Sequence, residues 1–439
     1  MSYKHFLRAV LLLPVLGGCS MIDEWMGAEK VPLPGTRVAV LTANEELKPS
    51  PGTPRVTLPP PAVNAEWPQS GGVTSHDMEH PALRDAAVAA WSGNIGAGGG
   101  YRRKITSQPV VAGGRVFAFD SDAVVSAFDA ASGASLWTVS TKGDEDRSTN
   151  VGGGIAFDGG IVYVVTGRAD VLALNPADGR VQWRARLPAP ARSAPTVAAG
   201  LLFIPLLDNQ MVAVSVTDGS KAWAYQARAA EPVVLGLPAP AFSEGLVVAG
   251  FGSGELVGLN PLGGAVVWSD SLAASRGRNS LADISTILGR TAIRSGRAFA
   301  VSMGQQLVAL DLRSGRRLWE RDIAASESPW IAGDWMFLVT TGGQVISVSL
   351  VDGRVGWVTR LDVFENPAKK KDPIRWFGPV LAGDRLVLAG SNGKALSVSP
   401  YTGQVLGEQA LSGPAAVTPV IAGGTLYIVT DNGTLTAYR

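Results

Sequence analysis

Two histidines four residues apart, His76 and His80, are the first candidates for chemistry in this sequence. That spacing would place both on one face of a helix, as in some zinc sites. The surrounding run, Thr-Ser-His-Asp-Met-Glu-His-Pro, has no long helical pattern, and the single cysteine of the chain lies far away. The pattern therefore favours a surface or docking segment, and we predict no metal site.

Other runs that could carry chemistry lack a necessary part. Phe251–Glu255 reads Phe-Gly-Ser-Gly-Glu and fits a hairpin better than the strand-to-helix turn of a nucleophilic serine. The glycine run Gly96–Gly100 is not followed by Lys-Ser/Thr and opens no helix, so it is a poor phosphate loop. The basic run Lys369–Lys371 lies near Glu365 and Asp372, which indicates a solvated loop. Contact with an acidic partner or an anionic lipid is the alternative for that run.

Cys19 has the strongest local context. The apolar run Ala9–Leu16 is too short to span a bilayer and is typical of a signal peptide. It leads into Leu-Gly-Gly-Cys, which resembles the lipobox of bacterial lipoproteins. We therefore predict a signal peptide over residues 1–18 and a lipidated, palmitate-bearing Cys19. An ordinary secretory signal with an incidental cysteine is the alternative. By the sorting rule that accompanies the lipobox, Ser20 favours the outer membrane.

Composition restricts the function classes further. Removing residues 1–18 takes away Lys4 and Arg8, so the net charge changes from +1 to 36 basic minus 37 acidic residues, or −1. No overall positive field is present to attract nucleic acid. Residues 31–61 contain eight prolines, and Pro-rich composition favours an extended, semi-rigid spacer. We expect residues 19–62 to be a tether between the lipid and a folded domain at 63–439.

The elements of that domain follow from internal repeats. Eight glycine-containing turns, each between two apolar β-type runs, lie at 112–114, 158–160, 198–200, 243–245, 294–296, 332–334, 382–384 and 422–424. A second turn, clearest at Asp129–Gly133 and Asp311–Gly315, is followed by a tryptophan. Tryptophan recurs in this way at 137, 183, 223, 268, 319 and 357. Several short strands in a period of roughly 40–50 residues predict an all-β propeller of four-stranded antiparallel blades. We expect the tryptophans to pack between blades.

The two ends of the repeat array predict how the ring closes. The seventh repeat has Gly407 where tryptophan is expected, and the eighth ends before a fourth strand. Upstream, Ala86–Trp91 is a strand-like run that has no partner of its own. If this N-terminal strand completes the last blade, no sheet edge stays open. The sequence thus predicts eight blades.

Three connections between blades are long, at about 226–239, 271–292 and 361–378. Long loops in a compact domain are commonly functional. The first contains the apolar run Glu231–Pro238 and the second the polar run Arg276–Ser285. Side by side on one rim, they would form a protein-binding surface.

The repeats, with Leu-Asp-Leu-Arg-Ser-Gly at 310–315, resemble those of propellers that bind pyrroloquinoline quinone. With the lipobox, the chain length and the eight repeats, the chain is similar to the BamB family over roughly residues 63–439. The resemblance implies a non-enzymatic scaffold of the outer-membrane β-barrel assembly machine, without a cofactor. It implies binding to the barrel-forming subunit BamA through loops on one rim, and nascent outer-membrane proteins as further partners. It implies a location on the periplasmic face of the outer membrane, held by the lipid anchor.

The resemblance also assigns contact residues. The family's Asp-x-Asp stretch falls on Leu281–Ser285, so that Asp283 takes the first Asp position and Ser285 replaces the second. Its Leu-x-Leu-Arg stretch falls on 232–240, where Val234 and Leu235 take the Leu and Arg positions. Without the arginine, a more apolar contact is expected here. A quinone-dependent dehydrogenase and a propeller scaffold of another envelope complex are the alternative functions.

Overall fold

The computed structural model describes residues 47–100, 103–143, 149–229, 236–273 and 285–439. The described residues form 34 strands joined by turns and contain no helix. Accordingly, they include no helix with the length and apolarity needed to cross a membrane. Lys48–Arg439 is one compact unit, and of the other unit, Met1–Leu47, only Leu47 is described.

The strands are short and follow each other closely along the chain. The first half comprises β1 (Ala89–Asn94), β2 (Val110–Ala112), β3 (Arg115–Phe119), β4 (Val124–Asp129), β5 (Ser135–Ser140), β6 (Gly153–Asp158), β7 (Ile161–Thr166), β8 (Asp170–Leu174), β9 (Val181–Arg186), β10 (Thr196–Ala198), β11 (Leu201–Pro205), β12 (Gln210–Ser215), β13 (Lys221–Gln226), β14 (Ala241–Ser243), β15 (Leu246–Gly250), β16 (Glu255–Leu259) and β17 (Val266–Ser271). The second half comprises β18 (Ala292–Arg294), β19 (Arg297–Val301), β20 (Leu307–Asp311), β21 (Arg317–Arg321), β22 (Trp330–Ala332), β23 (Trp335–Val339), β24 (Gln344–Ser349), β25 (Val355–Arg360), β26 (Phe364–Asn366), β27 (Lys371–Pro373), β28 (Trp376–Leu381), β29 (Leu386–Gly390), β30 (Lys394–Val398), β31 (Val405–Ala410), β32 (Val420–Ala422), β33 (Thr425–Val429) and β34 (Thr434–Tyr438).

These strands form eight four-stranded antiparallel sheets and one two-stranded hairpin, β26–β27. Blades 1 to 6 are β2–β5, β6–β9, β10–β13, β14–β17, β18–β21 and β22–β25, and blade 7 is β28–β31. Blade 8 has the order β1-β34-β33-β32, so its outer strand comes from the N-terminal side of the chain. The predicted eight-bladed propeller with an N-terminal closing strand is confirmed.

The closing strand begins and ends later than the sequence predicts. The predicted run was Ala86–Trp91, whereas β1 spans Ala89–Asn94 because its ladder with β34 continues past Trp91 to Asn94, which pairs with Thr434. Before the strand, Val88 exchanges two backbone hydrogen bonds with Arg439, at 2.8 and 2.9 Å. The pairing therefore uses the last residues of the chain on one side and a continuous stretch of seven residues on the other.

Burial explains the composition of the strands. The inner strands are packed on both faces by neighbouring blades, so β8 and β23, for example, are buried along their whole length. The outer strands, such as β5 and β9, alternate between exposed and half-buried positions. In the sequence, one blade therefore consists of near-continuous apolar runs, for the buried strands, followed by one alternating run, for the outer strand.

Tryptophans link consecutive blades. In seven seams the indole Nε1 donates a hydrogen bond of 2.7–3.2 Å to a backbone carbonyl in the next blade. The same ring lies against the glycine of that blade's second turn. For example, a Cβ at Gly179, where φ is +75°, would lie 2.7 Å from Trp137. The turn glycine therefore supplies a left-handed conformation and also leaves room for the ring. The predicted role of the tryptophans in packing between blades is confirmed.

Gly407 departs from this pattern for a structural reason. The next blade, blade 8, has no turn between its third and outer strands, because these come from opposite ends of the chain. A tryptophan at 407 would thus lack the turn carbonyl and the turn glycine that receive the other indoles. Trp91 on β1 retains its place, donating to the Ala130 carbonyl of blade 1 at 3.2 Å.

Part of the predicted tether contacts the propeller. Ser50 donates its N–H to the Val355 carbonyl at 2.8 Å and accepts the Val355 N–H on its Oγ at 3.1 Å. Val56 is buried in the apolar core, and Ala62 bridges to Pro81. The division into residues 1–18, 19–62 and 63–439 stays a prediction, but contacts with the propeller begin at Ser50, before residue 63.

Two glycines of blade 2 provide a matched test of the seam. Gly179→Ala should lower the free energy of unfolding by roughly 2–4 kcal/mol, because a left-handed alanine is strained and its Cβ overlaps Trp137. Gly160 has a similar φ of +78° but open space around its Cβ position, so Gly160→Ala should cost only about 1–2 kcal/mol. Urea titration of both variants measures the difference. Equal losses would show that the indole does not constrain the turn.

Candidate functional site

The propeller has two unlike faces. We call the face that carries the turns between first and second strands, such as Gly113–Gly114 and Gly383–Asp384, the plug face. We call the opposite one the cavity face, where each outer strand connects to the next blade. The three long connections all start and end on the cavity face, since they join β13 to β14, β17 to β18 and β25 to β28.

The predicted contact residues are only partly within the described structure. Val234, Leu235, Asp283 and the lipidation residue Cys19 lie outside the described residues. Ser285 is described and half-buried; its carbonyl oxygen and Cβ lie close to Gly254, at the turn between β15 and β16.

The ends of the two predicted loops do come together. Gly236 and Leu237 of the first long connection line the same central cavity as Leu288 and Arg290 of the second. The two connections are consecutive along the ring, and the shared binding rim stays a prediction.

The third long connection forms a hairpin. Phe364 pairs with Pro373 and Asn366 with Lys371, and the run Lys369–Lys371 is exposed near its tip. The solvated basic loop that the sequence predicts is thus an ordered, projecting hairpin on the cavity face.

The plug face is covered by residues 64–85, which we call the plug segment. It visits every blade in turn and accepts hydrogen bonds from the inner edges of the sheets. The donors and acceptors are Gly423 N to Asn64 O (2.7 Å), Val111 N to Trp67 O (3.0 Å), Phe157 N to Pro68 O (2.7 Å), Val197 N to Gln69 Oε1 (2.9 Å), Phe242 N to Thr74 O (2.7 Å), Ile293 N to Ser75 O (2.8 Å), Trp330 Nε1 to Glu79 O (2.9 Å) and Gly383 N to Pro81 O (2.8 Å). One segment thereby pairs inner-strand groups that would otherwise face the axis unbonded.

At blade 3 the plug segment bonds to the sheet through the side chain of Gln69 and not through its backbone. Its Oε1 accepts from the Val197 N–H, and its Nε2 donates to the Val197 carbonyl at 3.0 Å. The side-chain amide thus makes the two bonds that a paired strand residue would make. Leaving such a buried pair unsatisfied costs roughly 1–3 kcal/mol per group.

The two histidines are buried within the plug segment and do not lie on the surface. His76 Nδ1 is 2.8 Å from the Thr291 carbonyl, and both ring nitrogens of His80 lie within 2.7 Å of carbonyls, those of Pro59 and Gly383. Through these bonds both rings hold the plug segment against the propeller, which fits the docking alternative of the sequence analysis and not the surface one. The described residues contain no group of three or more His, Cys, Asp or Glu side chains that could hold a metal ion.

His76 is held in its neutral form. Burial, together with the positive charge of Arg290, lowers the pKa of His76 from 6.5 to about 3. Its Nε2 is buried without a hydrogen-bond partner in the described residues. The ring therefore fills space beneath the cavity without adding charge there.

On the cavity face, the connections enclose a half-open central cavity of about 510 Å³. Residues from all eight connections line it, and Ser70 of the plug segment lies at its floor. Its walls mix apolar side chains such as Ile105 and Phe377 with charged ones such as Arg192 and Glu327. A cavity of this size suits a small molecule.

Comparison with known proteins now decides the family. The family profile described as outer membrane protein assembly factor BamB matches residues 121–359 and 364–439. The chain belongs to the BamB family. BamB of Burkholderia pseudomallei is 29% identical over 356 residues, covering 80% of this chain and 87% of the relative. The crystal structure of BamB from Moraxella catarrhalis matches with a TM-score of 0.69 at 17% identity, covering 81% of this chain and 100% of that one.

The same architecture occurs outside the BamB family. Quinohemoprotein alcohol dehydrogenase from Comamonas testosteroni matches with a TM-score of 0.66 at 14% identity, covering 86% of this chain and 81% of the other. At this identity the likeness shows a shared propeller fold and nothing about activity.

Sequence reasoning missed the plug segment and the cavity. Most plug contacts are made by backbone atoms, as between Phe157 and Pro68, and these leave no mark in residue type. The available signals were the paired glycines Gly71–Gly72 and the two histidines in a segment with no strand pattern. Both glycines have positive φ, and a Cβ at Gly71 would lie 2.6 Å from the His76 ring.

The buried histidine predicts a pH dependence of stability. The unfolded chain protonates His76 near pH 6.5, whereas the folded protein keeps it neutral down to about pH 3. Its contribution to stability is thus fully present above pH 6.5 and declines as the pH falls, by about 2 kcal/mol between pH 7 and pH 5. In His76→Asn, which suits the left-handed backbone at φ +57°, the loss between these pH values should be smaller by that amount. Urea titrations at pH 7, 6 and 5 measure it, and equal pH dependence in both proteins would contradict the assignment.

Proposed function

We propose that this protein is a non-enzymatic lipoprotein scaffold of the outer-membrane β-barrel assembly machine. Membership of the BamB family is the observation that carries this role, because the matched relatives are named as assembly factors. The protein would act from the periplasmic face of the outer membrane. Residues 1–18 would be the signal peptide, 19–62 the lipidated tether and 63–439 the propeller.

The proposed partner is the barrel-forming subunit BamA, and the proposed contact lies on the cavity face. Support comes from the adjacency of the two predicted loops, whose ends at Gly236 and Leu288 line one cavity. Val234 and Leu235 would supply apolar area, and Asp283 and Ser285 would accept or exchange hydrogen bonds with the partner. Nascent outer-membrane proteins are further candidate ligands of this face.

The plug face is a weaker candidate for that contact. Its centre is occupied by the plug segment, and its peripheral turns use their polar side chains internally. For example, Asp311 accepts from the N–H and the hydroxyl of Ser314, and these bonds lower the pKa of Asp311. Side chains already committed to their own turn offer less to a partner than the long connections do.

The double variant Leu235→Asp with Asp283→Arg tests the contact. It places a charge in the apolar part of the surface and reverses the charge in the polar part, so co-purification with BamA from solubilised membranes should be lost. Truncation of a central contact costs roughly 1–4 kcal/mol of binding, and two such changes exceed what a typical interface tolerates.

The matched control makes the same changes on the opposite face. Leu262 and Asp334 are both exposed in turns of the plug face, so Leu262→Asp with Asp334→Arg should leave co-purification intact. Full binding by a folded Leu235→Asp, Asp283→Arg protein would place the contact elsewhere, with the Lys369–Lys371 hairpin as the next candidate.

The lipid anchor has a separate test. Cys19→Ser removes the acceptor thiol, so the protein should move from the membrane to the soluble fraction while the propeller still folds. Several acyl chains hold a protein far more firmly than one, so the shift should be nearly complete. Ser20→Ala is the control and should remain in the membrane fraction. Unchanged membrane association of Cys19→Ser, measured by fractionation and mass spectrometry, would contradict the anchor.

A further inference from the structure

The central cavity collects positive charge. Among the described residues, four basic side chains line it, Lys104, Arg192, Arg290 and Arg375, against two carboxylates, Glu327 and Asp431, which gives these residues a summed charge of +2. The mature chain as a whole carries −1 by the count above. The cavity is therefore a local concentration of positive charge on a nearly neutral protein.

The buried carboxylate of the cavity is already engaged. Glu327 Oε1 is 3.0 Å from an Arg375 guanidinium nitrogen, and its Oε2 accepts from the Thr418 hydroxyl at 3.2 Å. Arg375 also stacks over Phe377, with its guanidinium carbon 4.7 Å from the ring centroid. Arg375 and Glu327 thus neutralise each other's charge in the lining of the cavity.

Three cations remain without a carboxylate. Among the described residues, Lys104, Arg192 and Arg290 form no ion pair within 4.0 Å. Arg192 donates to the Val151 carbonyl at 3.0 Å and Arg290 to the Ser70 hydroxyl at 3.2 Å. These neutral acceptors leave both guanidinium charges uncompensated at short range.

Each of these two guanidiniums also has one buried N–H donor, at Nε, that has no acceptor among the described residues. The Nε atoms of Arg192 and Arg290 are inaccessible to water and have no hydrogen-bond partner in the described residues. Loss of hydration lowers the pKa of Arg290 to about 10, although Glu327 nearby raises it, and likewise lowers the pKa of Arg192. Both guanidinium charges are therefore held at a desolvation cost that the charge of a bound anion would offset, although the Nε atoms themselves are too buried to contact a ligand in the cavity.

Hydroxyl groups complete the lining. Ser328 Oγ accepts the Arg290 N–H at 2.9 Å, which leaves its own proton free to donate. Ser326 also lines the cavity, as does Ser193, whose hydroxyl donates to the Ala194 carbonyl at 3.1 Å. Guanidinium and hydroxyl donors around one half-open space are the groups that recognise phosphate and carboxylate oxygens.

We propose that the central cavity is a binding site for a small oxyanion with two or more negative charges, held by Arg192, Arg290 and Lys104. The cavity volume of about 510 Å³ accommodates a small molecule. Ser70 of the plug segment lines the site, and the half-open side of the cavity gives a ligand access. This site is distinct from the partner contact proposed above and does not depend on it.

Isothermal titration of the full-length protein in detergent, at low salt, tests the site with pyrophosphate and with citrate as probes. We expect saturable binding at one site per chain for at least one probe, weakened by added sodium chloride because the attraction is electrostatic. Binding of pyrophosphate alone would define a phosphate site, and binding of citrate alone a carboxylate site. No saturable binding of either probe up to 10 mM would overturn the proposal.

Variants locate the binding. Arg192→Gln and Arg290→Gln should each weaken the probe roughly tenfold or more, since a bond to a charged group is typically worth about 1.5–3 kcal/mol. Lys394→Gln removes the same charge from an exposed pair with Glu408 on blade 7 and should leave binding unchanged. If Arg290→Gln fails to fold, Arg192→Gln and Lys104→Gln carry the test. Affinity unchanged in the folded cavity variants would assign the binding to another site and overturn the proposal.

Discussion

The pairing of β1 with β34 is the constraint on which the rest of this propeller depends. A ring of blades that ends with three strands leaves an open edge, and here the edge is closed by a strand 340 residues earlier, with Asn94 opposite Thr434. Because that strand must come from outside the repeat array, the chain before it has to reach blade 8 across or around the ring. It does so around the ring, passing from blade to blade on the plug face, and this path forms the plug segment.

The closure and the plug together explain the two exceptions to the repeat. Blade 8 has no third turn, so Gly407 has no receiving site for an indole, whereas Trp91 arrives with β1 and completes the seam to blade 1. The first strand of each blade is an edge strand that faces the axis, and the plug segment bonds to these strands on the plug face only. The other end of the axis is left as a cavity whose walls are the connections between blades.

The sequence predicted what local chemistry determines. Turn glycines such as Gly179 and the tryptophans they receive, such as Trp137, are required by each blade separately, so their spacing revealed the count, the strand order and the closing strand. The long connections were visible for the same reason. The boundary of β1 was less accurate, because its extent is set by a partner strand at the far end of the chain.

What the sequence could not predict depends on contacts across the ring. Arg290 lies in the connection between β17 and β18 and Glu327 in the next one, between β21 and β22, and their common cavity forms only where all eight connections meet around the axis. His76 was noticed for its residue type, but its burial depends on Thr291 and on the close approach of Gly71, neither of which has a signature. Function is expected to follow the same separation, because blades supply a rigid frame and binding residues are commonly found on the connections, such as those around Gly236 and Leu288. A propeller fold that is shared with a dehydrogenase at 14% identity therefore does not by itself determine function.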